Sequence, residues 1–144
     1  MHEDRQLPDS LHEQLQALCA NGDKLAEAER YSEALVHYQA AWKLLPEPQN
    51  DWEAATWVLA AIADALFLSG QFQEARATLE YAMTCPDALG NPFLHLRLGQ
   101  VLFETGNDDQ AADQLMRAYM GAGEEIFAHD DPRYLQFLAT RAKL

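Results

Sequence analysis

Apolar positions recur along this chain every three or four residues, and no stretch alternates apolar and polar with the period of two that a strand requires. Residues 51–69, "DWEAATWVLAAIADALFLS", carry charge only at Asp51, Glu53 and Asp64, the pattern of a well-buried helix. Gly70 punctuates it, and Phe72, Ala75, Leu79, Ala82 and Met83 then mark the apolar stripe of a second helix, which Pro86 closes. A third begins at Pro92 and stops at Gly106, and a fourth runs on from Asn107 as its expected cap. Upstream, "RYSEALVHYQAAWKLLPEP" sets Ala34, Tyr38 and Ala41 on one face, until Pro46, which lacks an amide proton, stops the helix. Near the end Asp131 is the expected cap of a last helix, about residues 132–143, with an apolar patch at Tyr134, Leu135, Phe137 and Leu138.

Superimposing these stretches exposes a repeat. Ala34, Ala75 and Ala111 align, spaced by 41 and then 36 residues; four residues on stand Tyr38, Leu79 and Leu115, and three further on Ala41, Ala82 and Ala118. Twelve residues before each first alanine lies a small residue, Gly22, Ala63 or Gly99. A glycine within a helix costs about 1 kcal/mol, so its presence points to two helices crossing closely there.

The combination of Gly22, Tyr31, Ala34, Tyr38, Ala41 and Pro46, echoed twice, resembles the tetratricopeptide repeat. The resemblance covers about residues 11–123 and implies an all-α fold: a helical solenoid of three antiparallel helix pairs (repeats about 15–46, 56–87 and 92–123) plus a C-terminal capping helix, in one domain spanning 1–144. Two departures stand out. The links "EPQND" and "PDALGN" lengthen the spacing beyond the usual 34 or so residues, and Leu18, Leu59 and His95 replace the usual tryptophan of the first helix.

At 144 residues the chain can bury a core without staples. Its net charge of −13 is spread as −4, −5 and −4 over residues 1–30, 31–103 and 104–144, which disfavours nucleic acid and anionic lipid and would steer in a basic protein. Cys19 and Cys85 lie in apolar helical text and read as buried, reduced thiols. The opening "MHEDRQLPDS" is unlike a signal peptide, and the longest uncharged run, Ala54 to Ala63, is half a membrane span, so the expected location is the cytoplasm, with no membrane partner.

No constellation for catalysis is evident, and the chain is expected not to be an enzyme. "GAGEE" at 121–125 lacks the preceding strand and the lysine of a phosphate loop. The pairs Asp108/Asp109, Glu124/Glu125 and Asp130/Asp131 fall where helix starts favour negative charge. His2, His12, His37, His95 and His129 never fall at i, i+4 spacing, and Ser10, Ser32 and Ser69 sit at caps or turns, so no metal, cofactor or serine nucleophile is expected.

The tetratricopeptide resemblance further implies that the first helix of each pair lines a groove. Carried over, it points to Asp23 on the first, Trp57, Asp64 and Phe67 on the second, and Phe93, Arg97, Gln100 and Phe103 on the third as partner-binding residues. Of these only Arg97 approaches the basic clamp that such arrays use for a chaperone's C-terminal carboxylates, and Asp23 and Asp64 would repel that client. An aromatic groove edged with acid suits a basic or apolar segment of another protein. The expected role is therefore an adaptor or chaperone, with similarity to small secretion chaperones; an immunity protein neutralising a basic toxin, or a self-associating structural subunit such as a homodimer, are the alternatives.

Overall fold

The computed structural model describes residues 6–144; His2 and the other residues before Gln6 lie outside the described residues. These contain seven α-helices and no strand: α1 (Asp9–Glu27), α2 (Tyr31–Lys43), α3 (Glu53–Leu68), α4 (Phe72–Ala82), α5 (Pro92–Glu104), α6 (Asp108–Ala122) and α7 (Arg133–Arg141). The chain divides into two compact units, Met1–Leu89 with α1 to α4 and Gly90–Leu144 with α5 to α7.

Local chemistry sets the helix ends. Asn91 Oδ1 accepts from the Phe93 and Leu94 amides at 3.0 and 3.4 Å, with Pro92 in the first turn of α5 where its missing N–H is harmless. Asp131 Oδ1 accepts from the Arg133 amide at 3.0 Å and starts α7. Asn107 precedes α6 but caps it with no side-chain bond, because its Nδ2 turns back to Thr105, donating to Oγ1 at 3.0 Å.

One turn geometry closes all three hairpins. A backbone bond of 2.8 Å runs from Arg30 N to Leu25 O, from Gln71 N to Leu66 O and from Asn107 N to Leu102 O, each after a residue of positive φ: Glu29 (61°), Gly70 (84°) and Gly106 (84°). This six-to-one bond satisfies a carbonyl that the ending helix leaves orphaned, and it needs a left-handed residue, for which glycine is the unstrained choice. Glu29 is the exception. The turns recur at the same 41- and 36-residue intervals as the alanines, so backbone and side-chain repeats coincide.

In the first unit Ala34, Ala41, Ala55, Ala63, Ala75 and Ala82 are wholly buried, with Leu15, Val58 and Leu79 filling the space between helices. Each such large side chain contributes about 1.5–3 kcal/mol of apolar burial. Gly22 shows why the small positions are small: a Cβ there would lie 2.5 Å from Cε1 of Tyr38. The long link after α2 folds into a 3-10 turn at Gln49–Asp51, tied back by Trp52 Nε1 donating to Pro46 O at 2.8 Å and Gln49 Nε2 donating to Trp42 O at 3.0 Å. The link after α4 is held by Thr56 Oγ1, which donates to Pro86 O at 2.7 Å.

In the second unit a Cβ on Gly99 would lie 2.7 Å from Leu115 Cγ and 3.0 Å from its backbone nitrogen, so α5 and α6 cross without room for a methyl group. His95 is buried in the place of the missing tryptophan. Its Nε2 accepts from the Gly90 amide at 2.9 Å, so Nδ1, 2.7 Å from Gln114 Oε1, is the protonated nitrogen. A second 3-10 turn, Glu124–Phe127, leads toward α7.

Candidate protein-binding face

In the first unit α1 contributes Gln16, Cys19, Ala20 and Asp23, successive members of one helical stripe, and α3 contributes Trp57 and Ala61. Together they line an open depression of about 510 Å³. A smaller hollow of about 270 Å³, with Leu7, Asp9, His12, Glu53 and Ala54 among its walls, lies on the other side of Trp57. The indole stands between the two hollows, 38% exposed, with the His12 ring edge-on at 6.3 Å. A large ring so placed has unspent apolar surface, whereas a core ring has none.

Acid borders this face. Asp23 Oδ1 accepts a 2.6 Å hydrogen bond from the Tyr38 hydroxyl, which fixes one carboxylate beside the depression. Burial, and then the bond to Asp23, push the Tyr38 hydroxyl well above its ordinary range, with Asp64 adding to the effect, so both carboxylates lie within electrostatic reach of that ring. Cys19 forms part of the wall. Burial, then the charge of Asp23, push its thiol from an ordinary 9.0 up to about 11, so at neutral pH it is protonated and acts as apolar surface, not as a nucleophile. Phe67 is half-buried, and its ring meets Phe72 at 5.6 Å across the α3–α4 turn, so it is spent largely on closing that hairpin.

The second unit treats its predicted residues differently. Gln100 is fully buried and Arg97 nearly so. Arg97 Nη1 donates to Gln100 Oε1 at 2.6 Å and sits 3.5 Å from Asp130 Oδ1, while Gln100 Nε2 donates to Asp130 Oδ2 at 2.9 Å. One turn on, Glu104 Oε2 accepts from the Tyr134 hydroxyl at 2.6 Å and pairs with Arg133 at 2.9 Å. Phe103 packs against Phe137 at 4.8 Å and edge-on to Tyr134 at 5.7 Å. The C-terminal segment thus covers the α5 face from Arg97 to Phe103, and those side chains serve this internal contact; Phe93, 36% exposed with the Arg97 guanidinium 5.2 Å from its ring centroid, stays at the margin. That Asp130 meets Gln100 and Tyr134 meets Glu104 was not legible in the sequence, since nothing local pairs residues 30 apart. His12 beside Trp57 could have been found, for it continues the stripe of Gln16, Cys19 and Asp23 by one turn.

Among the described residues no group of three or more His, Cys, Asp or Glu side chains is placed to share a metal ion, and no helix is long and apolar enough to cross a membrane. Both cysteines are free and buried.

The fold is that of tetratricopeptide helical arrays. The chain is similar to the type III secretion chaperone SycD of Yersinia enterocolitica, solved with a peptide of the translocator YopD, at 16% identity and a TM-score of 0.69 over 93% of both chains. It is similar to the Arabidopsis OM64 TPR domain at 18% identity and a TM-score of 0.73, covering 92% of this chain and 99% of that one. A further likeness is the first TPR of Spaghetti (RPAP3) bound to an HSP90 peptide, at 16% identity and a TM-score of 0.70, over 89% and 90% of the two chains. No family model and no curated protein matches the sequence.

Proposed function

We propose that this protein is a non-enzymatic adaptor or chaperone that holds a segment of another protein against the α1–α3 face, and that within this class it acts as a secretion chaperone in the cytoplasm. The observation that carries the reading is Trp57, a half-exposed indole between two hollows, with Asp23 in the wall of one and Asp9 and Glu53 in the wall of the other. An apolar side chain of the client fills a hollow beside the indole, and basic neighbours meet the carboxylates. Support also comes from SycD and RPAP3, each solved with a partner peptide.

Calorimetric titration with a synthetic peptide of paired leucines flanked by lysines tests this. Trp57→Gln should weaken binding roughly tenfold to thirtyfold, the loss of one aromatic anchor, with helicity and melting temperature retained because the ring is half outside the core. Equal affinity in the folded variant would refute the assignment of Trp57 as anchor.

A further inference from the structure

A second depression lies wholly in the second unit, between the 3-10 turn Glu124–Phe127 and α7, with a volume of about 660 Å³. Its lining includes Phe127, Ala128, Pro132, Leu135, Ala139 and Leu144, with Glu124 and Glu125 at the rim. Two features separate it from ordinary surface. The first is that α7 is apolar on two faces: Tyr134, Phe137 and Leu138 are taken up by packing within the unit, whereas Leu135 and Ala139, one turn apart, border the depression. The second is charge. Asp130 is neutralised by Arg97, but the Glu124 and Glu125 carboxylates are exposed and have no ion-pair partner among the described residues. Lone exposed carboxylates repel one another and gain from a cation brought beside an apolar contact. The volume lies in the range of sites that accept small ligands and side chains.

We infer that this depression is a second protein-docking site, independent of the α1–α3 face, and that it takes a segment in which a leucine-like side chain is flanked by lysine or arginine. The apolar side chain enters between Leu135 and Ala139, and the flanking cation meets Glu124 and Glu125. The walls are preformed: Phe127 is buried with its ring 6.4 Å from Tyr119, and α7 is pinned by the Tyr134 bond to Glu104 and the Arg141–Asp109 pair at 2.8 Å. Preformed walls reduce the ordering cost of binding.

The test uses the full chain carrying Trp57→Gln, so that the α1–α3 face is weakened, and a fluorescein-labelled peptide of paired leucines flanked by lysines. Counterparts replace the lysines by glutamate or the leucines by serine. The expected result is saturable binding with amide shifts confined to residues 124–139, at least tenfold weaker on adding Glu124→Lys/Glu125→Lys or Ala139→Arg, and absent for both counterpart peptides. All three positions are exposed, so unchanged circular dichroism should accompany the loss. Absence of shifts in residues 124–139, or binding indifferent to all three substitutions, would overturn the proposal. So would a free protein that is dimeric by light scattering and becomes monomeric with Ala139→Arg, since the occupant would then be a second copy.

Discussion

Adding a single methyl group at Gly22 should destabilise the first unit even though alanine is the better helix former. The new Cβ would stand 2.5, 2.9 and 3.0 Å from Cε1, Cδ1 and Cζ of Tyr38, where carbon atoms prefer about 3.5–4.0 Å. The ring would have to retreat by about 1 Å, yet its hydroxyl is held at 2.6 Å by Asp23 and its body is buried. Overpacking of this kind costs about 1–3 kcal/mol. Weakening the hydrogen bond adds about 1 kcal/mol, the low end for a charged acceptor because Asp23 is exposed. Against this stands a gain of about 1 kcal/mol in helix propensity. The net expectation for Gly22→Ala is a loss of about 1–3 kcal/mol, or about 3–9 °C in melting temperature for a chain this size. Thermal and urea unfolding followed by circular dichroism would read it. In a Tyr38→Ala background the obstructing ring is gone and Gly22→Ala should become stabilising by about 1 kcal/mol. A Gly22→Ala protein at least as stable as wild type would show that α1 and α2 do not meet closely at this position.

Asp130→Ala should cost on the order of 3 kcal/mol, because it removes a carboxylate from the buried Arg97 guanidinium and an acceptor from Gln100; faster tryptic cleavage at Arg133 and Arg141 would report the release of α7, and unchanged protection would contradict the cluster's role. Glu29→Gly should stabilise by about 1 kcal/mol, since it relieves the left-handed strain at φ 61° where the other hairpins use glycine; a lower urea midpoint would contradict this. With its pKa near 11, Cys19 should react with iodoacetamide at pH 8 about a hundredfold more slowly than in the urea-unfolded chain. The folded state holds that proton more tightly, so the contribution of this thiol to stability should be fully present below about pH 9 and be lost between 9 and 11, as the unfolded chain loses the proton first. A thiol that reacts equally fast in both states would refute its burial.

Much of this architecture is legible in sequence because the packing is local and periodic. Ala34, Ala75 and Ala111 are buried for the same reason, and only a small side chain at the hairpin contact would recur with such regularity. The hairpin turns are legible where Gly70 and Gly106 mark them and obscure at Glu29, where a favourable backbone bond outweighs the left-handed penalty. The predicted binding residues divide by unit. Trp57 and Asp23 remain at a surface because nothing within their unit covers them, whereas Arg97, Gln100 and Phe103 are taken by residues 130–137. Helical spacing places a side chain on a face, but whether another segment of the chain covers that face is decided by contacts far apart in sequence. Arg97 and Asp130 are 33 residues apart, and neither has a local feature that names the other.

If the first-helix face of the first unit holds the client, that client must touch Trp57 and the α1 stripe beside it. The most direct measurement is amide and indole chemical-shift mapping of the lysine-flanked leucine peptide, bound to protein carrying Glu124→Lys/Glu125→Lys so that the other depression is silent. The expected result is shifts at the Trp57 indole N–H and at the amides of Gln16, Cys19 and Asp23, lost in Trp57→Gln. Shifts gathered instead on Val36, Trp42 and Tyr81, which belong to the second helices of the two pairs, would contradict it.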